Sequence, residues 1–573
     1  MRTSGRTPRT ICLLCLVVWL LGACGGQPAP PVSHGNSPLT GPYTFTPSPA
    51  RQPSGQVVLA DSGFPTTLNP LFAATRFDLE LRSALWAAPV VFDEHFHAQP
   101  DQLTEVPLPE NGDVQDGGKT IIMHLRHNLR WSDGQPLLAS DFAYWWRLDQ
   151  NQDTGAITTT GYDQIARIET PNDFTVILHM KLPFGPYLSY LPYAAPEHAW
   201  GHIQAIDLQN RPDIFLAPTV TDGPYKLARF IDQQSYTLVP NPYYTSTVFH
   251  GPFLAQLTYR AYPTPEALAL AIQHGQVDMA EGYTEDELPS LRQIPAGVQL
   301  REGSAAAYEH LDFNLARPFL QDRRVRQAIQ LAIDRCGIIQ DVLHMSNCAR
   351  LLDQVEPQPS LVYDPNIHLS AYNPGAARSL LTEAGWLSGA DGRIYKHGQP
   401  LVVRLVTTSG NALRAATARL LQKNLRAIGI QVDLAFYDLG TFFGVYPRGG
   451  ILATGAYDLS MFGYANSADP DDEYMVFQSS QIPGEVQPDL GNYGRIHDPL
   501  IDQALMQGRF TVPFAARKQS YQSFLERLAQ EIYVVPLYTA LNILIVNPRL
   551  KNILGNPNAV ENNWNVADWW LSG

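Results

Sequence analysis

The spacing of apolar positions is most legible between residues 402 and 436. VVRLVTT is a β-branched run, and ALRAATARLLQKNLRAI repeats apolar residues at Leu413, Ala416, Leu420, Leu421 and Leu425, one helical face. Gly429 ends that helix, and IQVDLAF is a second strand. Strand, crossover helix and strand predict a right-handed βαβ unit with parallel strands. After a Gly-rich loop, YDLSMFGY (457–464) predicts another strand. In TPEALALAIQHGQVDMA, Thr264 caps a helix that Pro265 opens and Gly275 closes, and Val277–Met279 reads as a short strand. Asn373-Pro374 and Gly385 frame AARSLLTEA in the same way. There is no tandem repeat. The later half therefore reads as an α/β sheet domain, with a ligand expected at its strand ends.

The N-terminus has a different pattern. Arg2, Arg6 and Arg9 stand without an acid, and residues 11–23 (ICLLCLVVWLLGA) are almost wholly apolar. That run is too short for a permanent bilayer span, which takes about 20 residues. A basic start followed by such a run predicts a secretory signal over 1–23. Leu21-Gly22-Ala23-Cys24 resembles a bacterial lipobox, in which the cysteine is diacylated and becomes the first residue. Two acyl chains hold a protein stably at a bilayer. Cys24 is thus the expected lipidation site; a plain secretory peptide with an incidental Cys, or an N-terminal membrane anchor, is the alternative. Residues 25–56 hold eight prolines and a single charge, Arg51, so 24–56 reads as a lipidated cysteine followed by a Pro-rich tether.

At 573 residues the chain exceeds what one core serves, and two or three domains are expected. Charged residues make up only 16%, and Lys+Arg 40 against Asp+Glu 54 gives −14. Without residues 1–23 the balance is 37 basic against 54 acidic, or −17. Nucleic acid is thereby an unfavourable partner, as is an anionic membrane surface other than through the lipid. Of five cysteines, Cys12 and Cys15 leave with the signal and Cys24 takes lipid. Cys336 and Cys348 remain, and in an exported chain they predict one disulfide, two buried thiols being the alternative.

From residue 57 onwards a series of short motifs follows in order. It begins with Leu68-Asn69-Pro70, then Leu125-Arg126 with Arg130-Trp131-Ser132-Asp133-Gly134-Gln135-Pro136-Leu137 and Asp141-Phe142. Gly223-Pro224-Tyr225, Asn241-Pro242-Tyr243-Tyr244 and Gly275-Gln276-Val277-Asp278 come next. Asp322-Arg323-Arg324-Val325-Arg326-Gln327-Ala328, Ala332-Ile333-Asp334-Arg335, Ala384-Gly385-Trp386, Tyr457-Asp458 and Pro536-Leu537-Tyr538 complete the series. Together these resemble the solute-binding proteins of ABC importers, family 5, the oligopeptide- and dipeptide-binding type. The resemblance implies an α/β, two-lobed clamshell of the periplasmic-binding-protein kind (type II-like) with an extra inserted subdomain. Residues 57–305 would form lobe one, with the subdomain at about 78–215; 306–536 would form lobe two, and 537–573 would return to lobe one. It further implies a monomeric, lipid-anchored, extracytoplasmic subunit without cofactor or metal. That subunit would close on an oligopeptide and deliver it to the permease and ATPase subunits.

By the same resemblance, the ligand-binding residues are Ala74 and Thr75 after the Leu-Asn-Pro turn, and Gly463, Tyr464, Ala465, Asn466, Ser467 and Asp469 after the strand. The family pattern there is Gly-Trp-x-x-Asp, whose carboxylate holds a peptide's α-ammonium. This chain has Tyr464 for the Trp and Ser467 for the Asp, and Asp469 matches a later Asp-Pro turn. A non-peptide solute, such as a sugar or a metal complex, and a ligand-sensing role therefore stay open. The residues themselves give Asp133-Gly134 as a turn, Ser140 as a cap for a helix from Asp141, and Arg326 and Asp334 as one helix's structural charges. An extracytoplasmic hydrolase lacks support, since there is no G-x-S-x-G, H-E-x-x-H or P-loop. His95 and His97 read as a surface loop more than a metal pair, and Asp469–Glu473 as an acidic turn.

Overall fold

The computed structural model describes residues 37–47, 52–291, 297–557 and 562–572. The expected signal over 1–23, Cys24 and the start of the tether lie outside the described residues. The body begins with β1 (Gln56–Asp61). Strands β2 (Val114–Gln115), β3 (Thr120–His124), β4 (Ile165–Asn172) and β5 (Thr175–Met180) form a separate antiparallel sheet in the order β2-β3-β5-β4. The chain returns beside β1 through β6 (Tyr225–Ile231), β7 (Ser235–Pro240), β8 (Gln256–Ala261) and β9 (Met279–Ala280). The long β10 (Gln299–Phe313) follows, then β11 (Val402–Thr408), β12 (Gln431–Tyr437), β13 (Leu459–Ala465) and the long β14 (Val534–Val546). Ten of these form one sheet, ordered β12-β11-β13-β10-β14-β9-β1-β8-β7-β6.

Two long strands carry that sheet from one lobe into the other. Gln299–Ser304 of β10 lie opposite Leu541–Val546 of β14, which also borders β9 in lobe one. Tyr308–Asp312 lie opposite Val534–Thr539, and this half of β10 pairs with β13 in lobe two. The ladder shifts register between Ser304 and Tyr308. Missing ladder bonds make this the soft point of both crossings. The apolar core divides accordingly. Val57, Ile121, Trp131, Phe142 and Trp569 belong to one cluster, so the subdomain shares its core with lobe one. Lobe two has separate clusters on its two sheet faces, one around Leu405, Leu421 and Met461, the other around Tyr308, Ile501 and Phe524.

The βαβ unit spans β11, the helix Ala412–Ala427 and β12, with β11 and β12 parallel and Gly429 at φ 89°. Thr264 caps the helix Pro265–Gln273 by accepting from the Ala267 amide, and Asn373 caps Pro374–Glu383. Three local expectations are corrected. The strand placed at Val277–Met279 is β9, because its pairing with β1 engages Met279 and Ala280. Ser140 lies inside the helix Ala139–Gln150; Asp141 caps it instead, accepting from the Leu138 amide at 2.9 Å and from Trp131 Nε1 at 3.1 Å. Arg326 and Asp334 belong to different helices. Arg326 donates to the carbonyls of Leu320 and Glu531, whereas Asp334 caps Arg335–Asp341 through the Gly337 amide. Asp133 sits in a turn, accepting from the Gln135 amide and facing His198 Nε2 at 2.9 Å.

The tether expected over 24–56 ends earlier than its composition implies. Residues 37–47 lie against lobe one, where Leu39 O accepts from the Ala98 amide and Tyr43 OH donates to Asp568 Oδ2 at 2.9 Å. Tyr43 meets Phe249 and Trp564 edge-on, and Phe45 stacks on His250 at 3.9 Å. Two aromatic rings give this stretch the apolar area that its prolines and serines lack. Cys336 and Cys348 are joined in a disulfide with Cα atoms 5.3 Å apart. Among the described residues, no helix is long and apolar enough to cross a membrane.

Candidate functional site

Between the lobes lies a cavity of about 290 Å³. Lobe one provides most of its wall. The helix Arg82–Leu85 contributes Arg82, followed by Trp86, whose Nε1 donates to the Leu68 carbonyl at 2.8 Å. Tyr162, Tyr193, Tyr244 and Phe249 add aromatic surface, and Trp564 arrives from the C-terminal return. The strap at Tyr43 packs behind Phe249 and Trp564, so it braces this wall from outside. Lobe two closes the cavity with Ser467 and Ala468, which follow β13.

Charge on this wall is sparse and positioned. Arg82 stands 5.8 Å above the Tyr193 ring, a cation–π placement. Asp101 accepts from Ser246 Oγ at 2.7 Å and Tyr244 OH at 3.3 Å, and burial pushes its carboxyl up to about 6. A wall that mixes aromatic and aliphatic side chains with fixed polar groups is the usual constitution of a small-molecule site. Among the described residues, no group of three or more His, Cys, Asp or Glu could hold a metal ion. Asp93–His97 form a tight turn in which Asp93 Oδ1 accepts the amides of His95 and His97.

The expected ligand residues are dispersed. Ser467 alone among them reaches this wall. Gly463 and Tyr464 line a different cavity in lobe two. Ala465 is exposed, while Asn466 is buried behind the wall, with Nδ2 donating to the Val355 carbonyl and its amide to that of Ala306. Asp469 is held by Arg517, whose Nη1 and Nη2 lie 3.0 and 2.7 Å from its two carboxylate oxygens. Ala74 and Thr75 start the helix Arg76–Leu79, and both amides donate to Asp78 Oδ2; neither is on the cavity wall. Sequence reasoning did not assign Arg82, Trp86, Tyr162 or Trp564 to a site. Tyr244 stands in the Asn241–Tyr244 motif, and that was the available signal.

The lobes touch on both sides of the cavity. At the crossing strands, Arg350 of lobe two makes a bidentate pair with Glu285 of lobe one, both contacts 2.7 Å. Glu285 also accepts from the Leu541 amide, and Arg350 Nε donates to the Thr539 carbonyl. On the far side, the Gly185 amide donates to Arg509 O at 2.7 Å, and the Arg509 guanidinium stands 5.5 Å from the Phe184 ring. A Cβ on Gly185 would lie 2.5 Å from Thr511 O, so closure here requires glycine. This is a closed two-lobed clamp around a small cavity.

A clamp of this kind, with its crossing strands and inserted subdomain, defines the class of extracytoplasmic solute-binding folds. The family described as bacterial extracellular solute-binding proteins, family 5 Middle, matches residues 102–484, and the chain belongs to it. It is 23% identical over 530 residues to the oligopeptide-binding protein AppA of Bacillus subtilis, covering 91% of this chain and 92% of that one. The structure of that AppA with a nonapeptide has a TM-score of 0.69 at 22% identity, covering 91% of this chain and all of the other. The oligopeptide-binding protein of Thermus thermophilus with a pentapeptide gives 0.66 at 21%, covering 90% and 96%. NikZ of Campylobacter jejuni with Ni(L-His) gives 0.72 at 23%, covering 90% and 99%.

Proposed function

We propose that this protein is the substrate-binding subunit of an ABC importer, capturing oligopeptides between its lobes and delivering them to a permease. The observation that carries the reading is the aromatic cavity enclosed between lobe one and Ser467-Ala468 of lobe two. A ligand that bridges both walls stabilises the closed arrangement by its differential affinity for it. At about 290 Å³ the cavity is at the small end of the usual range for ligand pockets, which favours a short peptide over a long one. Support for a peptide comes from the names of the relatives in Bacillus and Thermus. The anchor reading rests on Cys24: a Cys24→Ala variant is expected to leave the membrane fraction, and its retention there would contradict lipidation.

One observation favours a second reading, a compact non-peptide solute. Ser467 stands where the family's amine-binding carboxylate would be, and Asp469 is committed to Arg517. Titration calorimetry on ligand-stripped protein distinguishes the two. The peptide reading expects heat from mixed tri- to pentapeptides and none from Ni(L-His) or disaccharides. Binding of only the latter probes overturns it.

A further inference from the structure

The Cys336–Cys348 disulfide lies in lobe two, outside the cleft wall. Cys336 sits in the helix Arg335–Asp341, and Cys348 stands two residues before Arg350, which pairs with Glu285 across the lobes. The chain just after Arg350 is tied to the same helix. Arg335 Nη1 donates to the Leu352 carbonyl at 2.6 Å and to that of Pro536 at 3.2 Å, and its Nη2 donates to Asp353 Oδ1 at 2.9 Å. Arg350 is thus presented between two ties to one helix, a covalent one before it and an ionic one after it. At that point the Arg350 carbonyl accepts the Thr539 amide at 3.0 Å, Leu351 pairs with Tyr538 of β14, and the Arg350 guanidinium stands 5.5 Å from the Tyr538 ring. Thr539 borders the register shift in the β10–β14 ladder, so the disulfide steers a residue that acts on the soft point of the crossing.

The covalent tie matters because the turn that carries Arg350 is otherwise held locally. His344, Ser346, Asn347 and Ala349 are exposed. Asn347 Oδ1 accepts the Ala349 amide and the Cys348 carbonyl accepts the Leu351 amide, both within the turn itself. The Met345 amide donates back to the helix at the Ile339 carbonyl, five residues short of Arg350. We propose that the disulfide is a positioning cross-link for Arg350, and that a dithiol reductant that opens it loosens the Arg350–Glu285 pair and shifts the clamp toward its open state. Both cysteines are half-buried, within reach of a small dithiol. One thiolate of the reductant attacks a cysteine sulfur, forms a mixed disulfide and releases the other cysteine; its second thiolate then releases the first and leaves as a cyclic disulfide. The protein gains two electrons and two protons as a pair of thiols. A contact made in the closed state favours that state only while its partners are held in place. This device depends on the clamp alone and on no particular solute.

The test is hydrogen exchange of the Gly185 amide in the mature protein, with and without dithiothreitol, and in the Cys336→Ser/Cys348→Ser double variant. Gly185 donates to Arg509 O on the far side of the cavity, so its amide reports the parting of the lobes without touching the hinge. Reduction and the double variant are each expected to speed its exchange about tenfold. The Ile122 amide, which donates to the Asp113 carbonyl within the subdomain, is expected to keep its rate. Glu285→Gln alone should speed Gly185 exchange to a similar degree, and reducing that variant should add less than about twofold, because both changes remove the same pair. Gly185 exchange unchanged by both reduction and the double variant, or an equal acceleration at Ile122, overturns the proposal. So does a further gain of about tenfold on reducing Glu285→Gln, which would show that the disulfide acts apart from Arg350.

Discussion

Glu356 is enclosed in lobe two, and burial pushes its carboxyl up to about 8. Its neighbour Glu473 is raised well above the usual range by burial and then by the Glu356 charge. Burial likewise raises Asp471 and Glu281 to about 7. An acid whose pKa rises on folding contributes stability that is complete below its unfolded value, about 4, and is lost as pH climbs through the folded value. Melting temperature is therefore expected to fall between pH 5.5 and pH 8.5, and Glu356→Gln should flatten the alkaline part of that decline. A melting temperature that rises across the window would contradict this assignment. Residue roles were the least legible part of the sequence. Asp469 was given a ligand role by resemblance alone, and the fold brings Arg517 to it from a helix 48 positions later.

At the scale of elements, local rules were read well and distant pairings were not. Thr264, Asn373 and Gly429 mark their helices because caps and left-handed C-terminal residues act within one turn. The β11–helix–β12 unit was legible for the same reason. The docked strap at 37–47 was not, since composition averages away Tyr43 and Phe45 and their partners lie some 200 to 500 residues further on. The hinge pair supports a specific expectation. Glu285→Gln leaves Arg350 buried without its charge partner and should cost about 3 kcal/mol in urea denaturation; a loss under about 1 kcal/mol would show the pair to be incidental. At the latch, Gly185→Val places a side chain against Thr511 O and Arg517. Melting temperature should change little, while solute affinity should drop at least about tenfold because the closed state is obstructed. Unchanged affinity would show that this contact does not govern closure.

The whole molecule is a clamp whose two-lobed fold class was legible from ordered motifs, whereas its ligand was not. The cavity wall is drawn from residues 82–101, 162–193, 224–249, 467–468 and 556–567, pieces that share no sequence pattern and meet only after both long strands have crossed. The opening charge balance still bears on it, since an acidic protein with an aromatic cleft suits zwitterionic or cationic solutes better than polyanions. The central claim, that the cleft captures oligopeptides, is tested most directly by native mass spectrometry of protein purified without unfolding. The account predicts bound masses that fragment as short peptides of mixed sequence and that disappear in Gly185→Val. A single non-peptide mass bound at one per chain would contradict it.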